Sequence, residues 1–296
     1  MPLAPSEARA APAAPLIPDT QREFAFSDAD FRSLAQLAYD YAGIALSDSK
    51  RNLLYSRLSR RLRVLGHASF REYRDYLAGN EREIEMFINS LSTNHTKFFR
   101  EEHHFDHLRS HLVLPFAQAA QTGGSRRLRI WSAGCSSGEE PYTIAVVLKR
   151  ELRDLRSLDV RILATDIDTD VLAKAARGEF ALPGIDEVPK AYQGYFSAVS
   201  GAGAHAKVAM DADVKSLITF RRLNLMQPWP FRGLFDAIFC RNVMIYFDGP
   251  TKQALIERFV QQIRPGGWLY IGHSESLIGA HPGLQSVGRT IYRRDE

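Results

Sequence analysis

Apolar residues in the first third of the chain recur at helical spacing. Phe31, Leu34, Leu37, Ala38 and Tyr41 share a face, and Gly43 follows as a stop. Ser47 or Asp48 can cap a second helix that runs to about Leu65 and ends at Gly66. On it Leu54, Leu58, Leu62 and Leu65 form one stripe. A third helix is predicted over about Ser69 to Leu77. A fourth begins near Glu81 and carries Ile84, Phe87, Ile88 and Leu91. The stretch from about 27 to 110 therefore reads as all-helical.

From Gln121 the period changes. Residues 122–127 (TGGSRR) read as a linker-like turn. Short apolar strands then alternate with helices. The strands are Leu128–Ser132, Val160–Thr165, Ala237–Cys240 and Trp268–Gly272; the helices are Pro141–Leu152, Thr169–Arg177 and Pro250–Ile263. This alternation predicts an α/β domain with a parallel, doubly wound sheet and ligands at the carboxyl ends of its strands. Phe220 to Leu225 reads as a further strand ending at Asn224, and Ser286–Arg293 as a final antiparallel edge strand. Between about 180 and 220 the rhythm breaks. GAGAH (201–205) reads as flexible and VAMDADVKSLITF (208–220) as short strands, so a small β subdomain is predicted at about 181–218. The expected organisation is a disordered tail over 1–22, a helical domain over 23–105 and the α/β domain over 106–296.

Composition narrows this only a little. With 296 residues, 45% hydrophobic and 24% charged, the chain reads as an ordinary globular protein. No apolar run approaches the roughly 20 residues of a membrane span, so no membrane insertion is predicted. The Ala- and Pro-rich start has no sustained apolar stretch and reads as a tail rather than a targeting segment. Cys135 and Cys240 are too few for a disulfide framework or a zinc cluster. They predict buried thiols in a reducing, cytoplasmic compartment, with no metal site. The net charge of +4 suggests an acidic partner without naming one.

Candidate chemistry concentrates in Leu128 to Thr143. There an apolar strand meets a loop of small residues, Ala133 to Gly138, and then a helix with Pro141 in its first turn. The loop is compatible with a plain tight turn. It also fits G-x-S-x-G, the nucleophile elbow of hydrolases, with Asp236 or Asp248 and then His273 in triad order. No HGGG-type oxyanion segment precedes it. A third reading is a cofactor cradle. Ala164 to Asp168 (ATDID) lies about 25 residues on, where an acidic strand end accepts hydrogen bonds from ribose hydroxyls. Either Asp166 or Asp168 alone is explained as a helix cap, but the pair is not. Glu139 and Glu140 at the start of the next helix would repel a pyrophosphate. They suit S-adenosyl-L-methionine, which has no phosphate and carries two positive charges.

Residues 235–247 (FDAIFCRNVMIYF) form a buried strand running into polar residues, again at the ligand edge. Asn242 and Tyr246 resemble the spacing of the N-P-P-Y loop of amino-methylating enzymes, but both prolines are absent, which argues against amine or base methylation. Arg264 to Gly267 reads as a turn without chemistry. The main rival function is a nucleic-acid methyltransferase using the same cradle and a basic face for phosphates. The missing prolines and the lack of an aromatic-rich basic patch count against it, so no nucleic-acid partner is predicted.

Thr93 to Glu101 (TNHTKFFRE) resembles the T-N-x-T-x-F-F-R-E segment of the chemotaxis receptor methyltransferases, the CheR family. WSAGCSSGEEPY, ATDID, FCRNVMIYFD and GHSES resemble that family's other blocks in the same order, and KRNLLYSRLSRRLRVLG resembles its basic helix. The likeness runs from about 27 to 293. It implies a class I S-adenosylmethionine-dependent methyltransferase fold, Rossmann-like, behind an all-helical N-terminal domain and with an inserted β subdomain. It implies methylation of receptor glutamates to γ-methyl esters, with S-adenosyl-L-homocysteine as product. By motif, Asn94, Thr96 and Arg100 reach the cofactor, with Arg100 also orienting the incoming carboxylate. Glu140, with Glu139 as its competitor, binds the methionine or ribose end and Asp166 the ribose. Asn224 and Leu225 take the adenine side, Arg241 and Asn242 line the site, and Tyr246 lies near the methyl. Departures from the family pattern are Gly134-Cys135, often alanines, and His95, often Leu.

The basic helix fits docking. Lys50 to Arg63 holds six basic residues and no acid. Arg57, Arg60 and Arg63 project away from the leucine stripe, where a charged face is either simply solvated or complementary to a glutamate-bearing receptor helix. The β subdomain suits tethering of a receptor C-terminal tail by strand addition, which some family members do and others do not.

Overall fold

The computed structural model describes residues 22–201, 206–275, 277 and 281–296. The predicted tail, apart from Arg22, and most of GAGAH lie outside the described residues. The N-terminal helices are α1 (Asp28–Ala42), α2 (Arg51–Leu65), α3 (Phe70–Leu77) and α4 (Glu81–Leu91). Local signals account for their ends. Ser27 and Asp30 close a capping box on α1, and Gly43 ends it at φ 70°. Gly66 ends α2 in the same left-handed manner. Ser69 and Asn80 cap α3 and α4. The expected cap at Ser47 instead precedes a short 3-10 turn, Asp48–Lys50, and its hydroxyl makes no capping bond. Leu34, Leu54, Leu58, Leu62, Phe70, Tyr73 and Phe87 fill this domain's core.

That core stops at Leu91. Phe98, Phe99 and Phe105 pack instead with Ile130, Tyr142 and Phe239 of the second domain. The helical core therefore closes near residue 92, earlier than the 105 expected from helical periodicity. Helical spacing continues past 92 because α5 (His103–Leu108) runs through a π-turn (Arg109–Val113) into α6 (Leu114–Gln121), but these pack on the sheet.

The second domain follows as β1 (Arg127–Ala133), α7 (Glu139–Glu151), β2 (Asp159–Asp166), α8 (Thr169–Arg177) and β3 (Glu179–Ala181). Next come α9 (Lys190–Gln193), β4 (Phe196–Ser200), β5 (Lys207–Met210), α10 (Ala212–Lys215), β6 (Ile218–Arg222) and β7 (Phe235–Cys240). The chain closes with α11 (Gly249–Gln262), β8 (Ile263–Ile271), β9 (Leu284–Gly288) and β10 (Ile291–Arg294). The main sheet has the order β6-β2-β1-β7-β8-β10-β9. β6, β2, β1, β7 and β8 are parallel; β10 runs antiparallel to β8 and β9. Strand order reverses at β1, between β2 and β7, so the carboxyl ends of these strands frame the ligand crevice.

Three details differ from the sequence expectation. Ser286–Arg293 is not one strand but the hairpin β9–β10, because Gly288, Arg289 and Thr290 all take positive φ and turn the chain. The small sheet, of order β3-β5-β4, spans Glu179 to Met210, while Ile218–Arg222 returns to the main sheet as β6. Arg264 to Gly267, expected as a turn, is the irregular start of β8.

Candidate active site

β1 ends in a turn at Gly134 (φ 81°), where an added Cβ would lie 2.3 Å from Val243 Cγ2. The loop returns through Ser136, whose N–H donates to Asp166 Oδ2 at 2.8 Å; the N–H of Asp168 donates to Oδ1 at 3.0 Å. Burial pushes the Asp166 carboxyl up to about 6, against the pull of these two N–H groups. Asp168 does the other task. It caps α8 and accepts from Asn94 Nδ2 at 2.7 Å. The two aspartates of ATDID thus divide into a cleft residue and a cap that holds the opposite wall.

The two glutamates separate as well. Glu140 faces the cleft, accepting from Ser132 Oγ at 2.7 Å and from Arg241 Nη1 at 3.0 Å. Glu139 accepts from Ser137 Oγ at 2.7 Å and does not line the cleft. The Arg241 side chain, 2% exposed, also donates to the Arg100 carbonyl and lies 3.5 Å from Glu101 Oε2. Burial raises the Glu101 carboxyl, but the His273 hydrogen bond and the Arg241 charge outweigh it and hold it at about 2. Burial likewise keeps His104, beside Glu101, neutral down to about 3. Ser136 and Asn242 on the cleft wall, and Phe99 and Glu101 flanking Arg100, all take left-handed backbone, so strain gathers in and beside this cleft.

The segment Ser92 to Arg100 forms the facing wall. Tyr246 Oη donates to the Thr93 carbonyl at 3.2 Å, and Ser136 Oγ to the Asn94 carbonyl at 3.2 Å. Arg100 donates to the His95 carbonyl at 3.0 Å. Asn224 ties the domains together: its Nδ2 donates to the Tyr41 carbonyl at 2.5 Å, and its Oδ1 accepts from Met226 N at 2.9 Å. Asn94, Thr96, Arg100, Glu140, Asp166, Asn224, Leu225, Arg241, Asn242 and Tyr246 all line one cleft of roughly 1010 Å³, counting its open mouth.

The hydrolase alternative is excluded by placement. Ser136 donates to a backbone carbonyl, His273 bonds Glu101, Asp248 caps α11, and Asp236 pairs with Arg264 at the start of β7. The docking arginines are a partial correction. Arg57 donates to the Ser90, Leu91 and Ser92 carbonyls and to Thr93 Oγ1, so it caps the end of α4. Arg63 pairs with Glu23. Arg60 is exposed and has no ion pair or hydrogen bond among the described residues. Periodicity placed all three on the outer face, but a long arginine reaches neighbours that periodicity does not show. Glu101 and Glu275 are site residues that sequence reasoning left without a role. Both lie in quoted motifs, but nothing in those motifs shows that their carboxylates bond the cleft's backbone and arginine.

The donor set fits a nucleoside without phosphate. Asp166 is a buried acceptor suited to ribose hydroxyls, and the glutamates at the start of α7 disfavour phosphate there. Among the described residues no acid, His and Cys group is placed to hold a metal, and no helix is long and apolar enough to cross a membrane.

The strand order, the crevice at β1 and β7, and the acidic loop after β1 define a class I methyltransferase. The model for the CheR methyltransferase SAM binding domain matches residues 94–292, and that for the CheR methyltransferase all-alpha domain matches 29–92. The chain belongs to the CheR methyltransferase family; it is a methyltransferase, and its methyl donor is S-adenosyl-L-methionine. It is 45% identical to a probable chemotaxis protein methyltransferase of Rhizobium etli, over 87% of this chain and 96% of that one. It is 43% identical to chemotaxis protein methyltransferase 2 of Pseudomonas aeruginosa, covering 92% and 95%. Identity to the chemotaxis protein methyltransferase of Escherichia coli is 42%, covering 94% of each.

Proposed function

We propose that the protein methylates glutamate side chains on cytoplasmic helices of chemoreceptors, forming γ-methyl esters and S-adenosyl-L-homocysteine. One observation carries this reading. A single cleft is walled on one side by Ser92 to Arg100 and on the other by strand ends, in a chain similar over most of its length to chemotaxis protein methyltransferases. When bound, S-adenosyl-L-methionine supplies a methyl group on a positively charged sulfur. Asp166 accepts from the ribose hydroxyls, Glu140 and Arg241 hold the methionine end, and Asn94, Thr96 and Asn242 complete the walls. The Asn224 amide already bonds Tyr41 and Met226, and the Leu225 carbonyl accepts from Trp229 and Arg258, which leaves the Leu225 N–H for the adenine edge.

A glutamate carboxylate is already an anion at neutral pH, so no general base is required. An oxygen–carbon bond forms as the carbon–sulfur bond breaks, and no proton moves. Charges of opposite sign neutralise each other, which a water-poor site favours. Tyr246, anchored on the Thr93 carbonyl, positions the groups around the methyl. Arg100, half-buried at the mouth, receives the incoming carboxylate. Arg60 contributes the docking charge on α2. The edges of the small sheet, β3 and β4, suit strand addition by a receptor tail.

The test is incubation of the full chain with methyl-labelled S-adenosyl-L-methionine and receptor cytoplasmic fragments. Alkali-labile label on the fragment supports an ester. Label on RNA only, or on no receptor, overturns the reading.

A further inference from the structure

Glu275 is buried, 7% exposed, and no Lys or Arg among the described residues pairs with it. Its carboxylate is taken up by backbone. Oε2 accepts from Asn242 N at 2.7 Å and Gly272 N at 2.8 Å, and Oε1 accepts from Ile245 N at 3.1 Å. The donors come from two segments, the turn after β7 and the end of β8. The first includes Asn242, at φ 60°, and the 3-10 turn Met244–Tyr246, whose leading N–H groups have no partner within the turn. The second approaches so closely that a Cβ on Gly272 would lie 2.6 Å from Asn242 Nδ2 and 2.7 Å from Glu275 Oε2. A buried carboxylate accepting only backbone N–H groups shapes the loop that holds it.

We propose that Glu275 is a positioning residue for methyl transfer, fixing the turn after β7 with one oxygen on Asn242 and the other on the turn that carries Tyr246. The kinetic part rests on the proposed function; the structural part does not. In E275Q the amide oxygen takes the Oε2 place, where two N–H groups converge. The NH2 then meets the N–H of Ile245, donor against donor. The Tyr246 side is lost and the Asn242 side is kept.

The test uses the full chain, tritiated S-adenosyl-L-methionine and a purified receptor cytoplasmic fragment. It adds calorimetry with S-adenosyl-L-homocysteine and amide hydrogen exchange. For E275Q, kcat falls about tenfold while the S-adenosyl-L-homocysteine Kd stays within about threefold, and Ile245 exchanges about tenfold faster with Asn242 unchanged. In a Y246F background the same change costs less than about twofold in kcat, because its effect runs through Tyr246. G272A crowds both Asn242 and Glu275 Oε2, so it lowers kcat and also weakens S-adenosyl-L-homocysteine binding about tenfold. Wild-type kcat in E275Q, whatever its Tm, overturns the proposal, as does a loss of S-adenosyl-L-homocysteine affinity in step with kcat. If E275Q does not fold, E275D is read by the same criteria. If the wild type leaves the fragment unlabelled, the glutamate substrate is wrong. Exchange then decides Glu275 alone: faster Ile245 supports its role, and unchanged Ile245 ends it.

Discussion

The cofactor cleft and helix α2 are both rich in charged residues, and they use charge differently. At the cleft, buried Arg241 pairs with buried Glu140 and with half-buried Glu101 behind it, and Asp166 is held by backbone. The charges there define a shape. On α2 the basic residues look like a free face, yet Arg57 caps α4, Arg61 clamps the buried Glu83 beside Tyr73, and Arg63 holds Glu23. Much of the charge offered to a partner by the helical pattern is already engaged inside the domain. A helical wheel fixes where a side chain starts; for arginine, the far end decides its role.

The largest expected effect breaks the cleft's network. R241M leaves the buried Glu140 without its cation and Glu101 with His273 alone, which costs about 3–5 kcal/mol of stability. Urea denaturation measures the loss, and calorimetry should show S-adenosyl-L-homocysteine binding abolished. Stability equal to wild type would mean that the cluster does not act as a unit. Asp166 sharpens the same region. Its carboxyl is pushed up to about 6, and ribose hydroxyls favour the ionised form. Ligand affinity therefore falls as pH drops through 6, about tenfold by one unit below it. D166N weakens binding at neutral pH and removes this pH dependence; a slope that survives D166N assigns it to another group.

The contrast between these regions also explains what was legible in the sequence. Strand ends and small-residue loops have local signatures, so the crevice at β1, β2 and β7 was readable from Gly134, ATDID and the polar run after Cys240. Helix stops were readable at Gly43 and Gly66 for the same reason, whereas the cap expected at Ser47 makes no capping bond. Three things were not. The helical core's end at Leu91 depends on which core Phe98 and Phe99 join, and periodicity does not encode that. The β9–β10 turn places Arg289 and Thr290 at positive φ, where composition predicts continuous strand. Glu275 and Glu101 bond backbone and arginine groups far away in the chain, and no spacing rule reports such partners.

Arg57 lies between the two regions. It ties α2 to the carbonyls that end α4 and, through Thr93 Oγ1, to the wall on which Tyr246 rests. R57A is expected to lower stability by about 1–3 kcal/mol and to reduce kcat, because orphaned carbonyls loosen that wall. R57K keeps the charge but not the fork, so it recovers little of either. Full recovery by lysine would return Arg57 to the docking face.

The smallest effect isolates docking from architecture. Arg60 has no intramolecular partner among the described residues, so R60A leaves Tm and S-adenosyl-L-homocysteine affinity at wild-type values. If α2 meets an acidic receptor helix, the KM for a receptor fragment rises about threefold at low salt, and the difference shrinks as salt screens it. R60E raises KM further, through repulsion rather than lost attraction. R63A is the control from the same face: its partner is Glu23, so it frees an acid as it removes a base. If R60A and R60E both match wild type across the salt series, the outward cations of α2 are solvated charge, and receptor recognition lies with the mouth of the cleft.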